Sequence, residues 1–507
     1  SCKLYFKKDG RGTYMLTKSD IQKVTNNIQR IYLEDQIPWV VGYSGGKDST
    51  AVLQLVWNAI RELPVEQRAK TIHVITNDTL VESPIVSQWV KQSHENLKKA
   101  AVVQKMPFES HILLPDIKDT FWVNLIGKGY PYPRKNFRWC TDRLKIKPTN
   151  VFIQNMISAF GEVILVLGTR KAESVNRMKT ITEHEKYEVR ESLTSKGNMQ
   201  NELSFTPIKD WLDDDVWQYL LQYKNPWGHS NEDLLTMYRG ATSDGECPLV
   251  LSTDTPSCGK SRFGCWVCTL VERDKSMEAM IQNDDEKAWM LPLLQFRDDF
   301  GDHETDRMRR EFTRKGGNIK LYNDRLVHGP YKKEVREKWL RRLLEMEIFI
   351  QNNGPEWFKE YRLITEDELL EIRRIWIEEK CEFDDALPRI YKEVKGHELN
   401  VKKYYSPFTS VEYNILKDIC KENYADEELL LKMVASLLEI ERKKMNSRFR
   451  SGIIKKLTDI IQANYYKDES DALNYARKFK NRQEVTSREI TGCDFDDPVE
   501  GDDMDED

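Results

Sequence analysis

No apolar run in the 507-residue chain approaches the ~20 residues that cross a bilayer. The opening stretch, SCKLYFKKDGRGTYML, holds no apolar signal-peptide region. A cytoplasmic protein with no membrane partner is therefore expected. Internal repeats are missing, which excludes solenoid and propeller arrays, and low complexity is confined to the tail. There is no helix-turn-helix, zinc-finger or RNA-binding signature. Cysteine numbers nine, an odd count, and in a reducing compartment disulfides are not expected.

The composition is 39% hydrophobic and 32% charged. That describes a soluble chain with ample core, too long for one domain and sized for two or three. The net charge of −5 conceals a tail, DFDDPVEGDDMDED (494–507), with nine carboxylates and no base. Without it the body carries +4, a balance that permits nucleic-acid binding without demanding it. The tail itself reads as a disordered solvating segment.

Residues 17–34 space Ile21, Val24, Ile28 and Ile31 as one face of a helix. Strand-like runs follow at 39–43 (WVVGY), 71–78 (TIHVITND), 110–115 (SHILLP) and 162–170 (EVILVLGTR), with helical stretches near 49–62, 83–101 and 142–160. Strands alternating with helices, apolar on both faces, predict an α/β domain built on a doubly wound parallel sheet. Gly, Pro, Cys and Ser crowd 225–275, which reads as a loop-rich module. From about 276 the chain is helical in composition. The expected organisation is an α/β domain over 1–224, a cysteine-rich module over 225–275, an α-helical domain over 276–490 and the acidic tail over 491–507.

Between the first strand and the helix after it lies YSGGKDST. In an α/β sheet, ligands bind at the carboxyl ends of strands, and a glycine-rich turn opening a helix offers N–H groups and a positive dipole to an anion. Ser44, Gly45, Gly46, Lys47, Asp48 and Ser49 fit that description. A Walker A loop does not: Gly42 and Gly46 are one residue too close, and Asp48 follows the lysine. A G-x-G-x-x-G is also absent.

The string SGGKDS resembles the pyrophosphate-binding loop of the PP-loop ATP pyrophosphatases, a family that includes tRNA thiolases, GMP synthetase and phosphoadenylylsulfate reductases. NDTLVESP (77–84), RWCTDRLKIKP (138–148), GTRKAESVNR (168–177) and TPIKDWLDDDVWQYL (206–220) are similar, in order, to segments of the reductase branch. The resemblance implies an adenine nucleotide alpha hydrolase-like fold. It implies ATP with Mg²⁺ held by Ser44–Ser49 and Asp78, and Lys47 and Asp48 acting on the leaving pyrophosphate. Arg170 and Arg177 stand near a strand end, where guanidinium forks suit polyphosphate or sulfate; ordinary surface ion pairing is the alternative.

Four cysteines, Cys247, Cys258, Cys265 and Cys268, fall within 22 residues. Four thiolates this close can hold Zn²⁺ or an iron–sulfur cluster. With a single C-x-x-C unit and Phe263 and Trp266 as shielding, a [4Fe–4S] cluster is favoured over zinc. Cys140, between Arg138 and Arg143, lies in positive surroundings that favour its thiolate. It is a candidate persulfide carrier or nucleophile, with a structural cysteine beside the nucleotide as the other reading.

Basic stretches at 331–342 (YKKEVREKWLRR) and 441–456 (ERKKMNSRFRSGIIKK) offer phosphate contacts or simply solvated helix faces. A reductase-like domain, then grouped cysteines, then a long helical region resembles the DNA phosphorothioation sulfurtransferases. That resemblance implies DNA, a cysteine desulfurase as sulfur donor and other phosphorothioation subunits as partners. It also implies a reaction in which a DNA phosphate oxygen is adenylated and replaced by sulfur. The rival readings are a true phosphoadenylylsulfate reductase, a tRNA thiolase and a non-catalytic nucleotide sensor. Against the first, the late Cys493 in ITGCDFDD lacks the Glu-Cys-Gly-like setting of such reductases.

Overall fold

The computed structural model describes residues 16–195, 200–241, 263–314, 317–400, 410–423, 427–445 and 452–490. Their packing divides the chain into two units. The first draws on Ser1–Pro115, Asp142–Trp266 and Asp274–Ala288; the second draws on Asp116–Thr141, Val267–Arg273 and Trp289–Asp507.

The first unit is built on a seven-stranded sheet among the described residues. Its strands are β1 (Trp39–Gly42), β2 (Ile72–Asn77), β3 (Phe108–Leu113), β4 (Val163–Val166), β5 (Glu188–Arg190), β6 (Leu193–Thr194) and β7 (Glu202–Phe205). The order is β3-β2-β1-β4-β7-β6-β5. From β3 to β7 every pairing is parallel; β6 and β5 add an antiparallel edge. The order reverses direction at β1, with β2 on one side and β4 on the other, which makes the mouth of β1 the switch point where α/β sheets bind ligands.

Alternation along β1 explains its uninterrupted apolar run. Trp39 and Val41 enter the main core, whereas Val40 enters a smaller core on the other face with Ile75, Ile153 and Met156. The main core is covered by α1 (Lys18–Glu34) and α2 (Lys47–Arg61). A capping box starts α1: the Asp20 N–H donates to Thr17 Oγ1 at 3.2 Å, and the Thr17 N–H donates to Asp20. This satisfies two end donors that the helix ladder cannot. In α2, residues from Ser49 to Ile60 are buried apart from Asn58, so this helix is central rather than amphipathic. The opposite face is covered by the helix Lys147–Phe160, tied to the end of β2 by a 2.8 Å bond from Asn77 Nδ2 to Thr149 Oγ1.

Within the region read as loop-rich, Asn231–Gly240 forms a helix capped by Ser230. Leu234, Leu235, Tyr238 and the preceding Trp227 all join the main core.

Among the described residues the second unit is helical, apart from the short hairpin Leu321–Tyr322 and Arg325–Leu326. Helices Lys333–Asn353 and Glu366–Glu378 pack with the π-helical turn Val123–Lys128, and Ala386–Lys395 packs on Lys333–Asn353. Indole N–H groups pin that turn: Trp122 donates to the Leu363 carbonyl at 2.7 Å, and Trp376 donates to the Ile126 carbonyl at 3.0 Å. Among the described residues no helix is long and apolar enough to cross a membrane. The chain thus has a mostly parallel sheet with flanking helices, joined to a helical C-terminal region.

Candidate nucleotide and cysteine site

The loop Ser44–Ser49 leaves the mouth of β1 and opens α2. Gly46 caps the helix without a side chain, and the first-turn N–H groups have no intrahelical acceptor, the arrangement that receives anions. Two glycines are required sterically. Gly45 has φ +75°, and a Cβ there would lie 2.5 Å from Val90 Cγ2. Gly168, just past β4, lets that strand end approach the loop; a Cβ would lie 2.9 Å from the Asp48 carbonyl. Ser49 Oγ is within 3.1 Å of both the Ser44 nitrogen and the Ser44 hydroxyl, and donates to the Gly46 carbonyl at 3.0 Å. The loop is therefore closed on itself. Trp89 Nε1 donates to the Gly45 carbonyl at 3.2 Å, and the His229 ring packs on Trp89.

Four charged side chains meet behind the loop. Arg170 is only 1% exposed. Its Nε donates to Asp48 Oδ1 at 2.8 Å, Nη1 donates to the Trp211 carbonyl at 3.1 Å, and Nη2 reaches Asp213. Lys47, also buried, places Nζ 3.5 Å from Asp213 and 3.9 Å from Asp48. Burial pushes the Asp48 carboxyl above its ordinary range, against the pull of Lys47 and Arg170. Burial works against the Arg170 charge, but Asp48 and Asp213 outweigh it and hold the guanidinium above its usual value. Two cations and two carboxylates thus form a balanced cluster whose cations an incoming polyphosphate can engage.

Tyr238 closes the cluster. Its hydroxyl accepts the Lys47 N–H at 3.3 Å, and Lys47 Nζ lies 5.4 Å from the centre of its ring. Burial pushes this phenol well above its ordinary value. Below the loop, Thr76 bonds the Tyr43 carbonyl and His94 Nε2, and His94 Nδ1 meets Ser110. Burial drives His94 down to about 4, so this network is neutral and rigid at physiological pH.

The loop after β2 carries Asp78, whose Oδ1 accepts the Leu80 N–H at 2.9 Å and helps shape a turn with Leu80 at φ +63°. The cysteine segment is stitched to this loop. Ser83 N–H donates to the Gly264 carbonyl at 3.1 Å, Trp266 N–H donates to the Val81 carbonyl at 3.0 Å, and Glu82 bridges to Cys265. Cys265 Sγ lies 3.4 Å from Thr79 Oγ1 and 3.5 Å from Glu82 Oε1, and Lys145 Nζ lies 3.2 Å from the same carboxylate oxygen. Phe263 packs edge-on against Tyr238, with ring centres 4.7 Å apart. One thiol of the C-x-x-C pair is thus linked to the loop after β2 through two named contacts.

The sequence candidates therefore separate. Ser44, Gly45, Gly46, Lys47, Asp48, Ser49 and Arg170 share one site, with Asp78 on the neighbouring strand end and Cys265 beside it. Arg177 stands apart. It lies exposed on the helix Val175–Glu185 and pairs with Glu173 at 3.3 Å. Cys140, in the short helix Trp139–Thr141, and Cys268 belong to the second unit; both are half-buried. The Cys268 carbonyl accepts Arg297 Nε at 2.9 Å. Cys247 and Cys258 lie outside the described residues. In the basic stretch 331–342, Arg336 is buried and paired with Glu382, while Lys333, Arg341 and Arg342 pair with Asp384, Glu393 and Asp299. These four cations are engaged in intramolecular ion pairs.

Sequence reasoning did not single out Asp213, Tyr238, Thr79 or Glu82. Asp213 heads the helix Asp213–Gln222 within a run of three acids, each equally suited to a helix N-terminus. Tyr238 meets Lys47 across 191 residues, a distance no local pattern spans.

Residues 38–229 match the phosphoadenosine phosphosulfate reductase domain family. That stretch is therefore similar to a phosphoadenosine phosphosulfate reductase domain. An uncharacterised protein of Methanocaldococcus jannaschii is 25% identical over 248 residues, 48% of this chain and 39% of that protein. A second from the same organism is 26% identical over 178 residues, 35% and 34% of the two chains. The chain thus spans between a third and two fifths of these relatives. Among solved structures, a phosphoadenylyl-sulfate reductase from Candida auris, as its phosphate complex, aligns at 13% identity and TM-score 0.24, over 42% of this chain and 89% of that one. The U34-tRNA thiolase NcsA of Methanococcus maripaludis with its [4Fe–4S] cluster aligns at 12% identity and TM-score 0.28, over 56% and 78%.

Proposed function

We propose that this chain is an ATP-dependent sulfurtransferase that adenylates a backbone phosphate oxygen of DNA and replaces it with sulfur. The observation that carries the reading is that the loop after β2, the strand paired with β1, is bonded at Val81 and Ser83 to the segment that holds Cys265. An anion cradle beside a thiol suits adenylation followed by sulfur transfer.

In this reading the non-bridging DNA oxygen attacks the α-phosphorus of ATP. The bond to the β-phosphate oxygen breaks, and pyrophosphate leaves onto the N–H groups of the loop. Lys47 and Arg170 balance the charge that builds there, released from Asp48 and Asp213 as the polyphosphate takes their place. Mg²⁺ would accompany the ATP. A cysteine persulfide loaded by a cysteine desulfurase then attacks the DNA phosphorus and displaces AMP, and a second thiol cleaves the new S–S bond, leaving sulfur on the phosphate and a disulfide between the two thiols. Cys247, Cys258, Cys265 and Cys268 would hold a [4Fe–4S] cluster; thiolates are the donor set such clusters take, and when bound it would supply a site for carrying sulfur. Cys140 is the alternative carrier. Asp78 shapes the nucleotide-side turn, while Arg177, exposed and paired with Glu173, takes no part in this step.

The test is pyrophosphate release from ATP by anaerobically purified protein, with and without duplex DNA. DNA-stimulated release supports the reading, and Ser44→Ala with Asp48→Ala should abolish it. Stimulation by tRNA alone would mark a tRNA thiolase. The match of residues 38–229 to the reductase domain favours one further reading. Sulfite formed from phosphoadenylylsulfate, with no pyrophosphate released, would establish it.

A further inference from the structure

A second cluster of ligand-type side chains lies in the first unit, away from the loop. His73 is the second residue of β2, and Glu109 and His111 are the second and fourth of the edge strand β3. In the parallel register His73 sits opposite Glu109, and Ile75 opposite His111. Strand periodicity puts all three on one face, the face covered by the helix Lys147–Phe160. Phe152 of that helix backs both imidazoles, with ring centres 6.0 Å from His73 and 5.1 Å from His111. Each of the three can offer one atom inward. His73 Nδ1 and His111 Nε2 are 3.0 Å apart, and Glu109 Oε2 lies 3.6 Å from the first and 3.9 Å from the second.

We propose that His73, Glu109 and His111 form a binding site for a divalent late first-row cation of the zinc type, tying the edge strand β3 to β2.

The geometry argues for it directly. A point equidistant from three atoms with those separations lies about 2.1 Å from each, the usual Zn–N and Zn–O bond length. Two imidazoles and one carboxylate suit Zn²⁺ and its neighbours, not Mg²⁺ or Ca²⁺, which take oxygen donors. Side-chain exposure rises from 12% at His73 through 32% at His111 to 59% at Glu109. The ion would thus be anchored at its inner side and open to water on the outer one. From His73 to Asp78 the strand runs roughly 16 Å, so this site is distinct from the nucleotide loop at the other end of the sheet. A hydrogen bond between two neutral imidazoles is the competing account of the 3.0 Å approach.

The experiment uses the full chain and Co²⁺ as a spectroscopic probe. A nitrogen–oxygen site gives visible ligand-field bands without the near-ultraviolet charge-transfer band of a thiolate site, so binding at the cysteines is read separately. The expected result is about one equivalent of Co²⁺ of the first kind, displaced by Zn²⁺. It persists in Cys265→Ser and weakens at least about tenfold in Glu109→Gln and in His111→Gln. Both substitutions are at partly exposed positions, and circular dichroism of each variant checks that it folds. Ligand-field bands of unchanged intensity and affinity in these two variants, or bound Co²⁺ showing only the thiolate band, would overturn the assignment.

Discussion

Replacing Arg170 by methionine should be among the costliest single changes in the first unit. The guanidinium is almost wholly enclosed and makes three contacts, to Asp48, Asp213 and the Trp211 carbonyl. Methionine keeps most of the volume and none of the charge. Two carboxylates would then share Lys47, which sits 3.5 and 3.9 Å away, and the Trp211 carbonyl would lose a donor. Removing one partner of a buried ion pair costs about 3–5 kcal/mol, because the other charge is left uncompensated. For a unit of 150–250 residues that is a fall in Tm of roughly 6–20 °C. The sign of the pH effect follows. Burial already raises Asp48, and losing Arg170 raises it further. The folded variant then holds a proton that the unfolded chain releases, and its deficit narrows as the pH falls toward the ordinary carboxylate range. Adding Asp48→Asn should recover part of the loss, a coupling of more than about 1 kcal/mol in a double-mutant cycle. Scanning calorimetry of the four proteins at pH 7 and pH 5 reads all of this. A variant melting within about 2 °C of the parent, or strict additivity of the two substitutions, would refute the description of the cluster.

Three other outcomes follow from the site. Gly45→Ala meets both a left-handed φ and Val90 Cγ2 at 2.5 Å, and should cost about 2–4 kcal/mol by chemical denaturation; adding Val90→Ala should restore the part due to the clash and leave the part due to φ. His94 and His229, both held near 4 by burial, take up protons in the unfolded chain first, so stability should be flat above pH 6.5 and decline below it, by about 3 kcal/mol for each histidine near pH 4. Urea midpoints between pH 7 and 4.5 measure this, and His94→Gln should flatten the slope. Cys265→Ser in protein reconstituted anaerobically with iron and sulfide should lower the visible absorbance of a cluster by more than half; an unchanged spectrum would remove Cys265 from the ligand set.

Much of the first unit could be read from periodicity. The runs at 39–43, 71–78 and 162–170 contain β1, β2 and β4, and the helical spacing of Ile21, Ile28 and Ile31 is the buried face of α1. The run at 110–115 lies two residues late, because pairing with β2 begins at Phe108, before the apolar stretch becomes dense. The strands β5 to β7 escaped, being two to four residues long with charged residues in Glu188–Arg190, too short for an alternation to register. The helix Asn231–Gly240 was hidden by its Gly- and Pro-rich neighbours although Ser230 and Asp233 mark its start. At the site, the loop was legible because its glycines, lysine and hydroxyls are contiguous. Asp213 and Tyr238 reach it from distant segments, and such convergence is a property of topology rather than of any window of sequence. The basic stretch 331–342 shows the reverse limit: a charge run does not reveal that acidic residues up to 52 positions away already pair with it.

The backbone bonds between residues 81–83 and 264–266 also carry a thermodynamic obligation. Two sites joined by a shared piece of ladder share one coupling free energy, and that coupling is reciprocal. If occupancy at Cys265 tightens nucleotide binding by some factor, nucleotide tightens occupancy at Cys265 by the same factor, whichever arrives first. The order of loading then leaves the equilibrium unchanged, and in that case saturating nucleotide would tighten binding at the cysteines by the same factor.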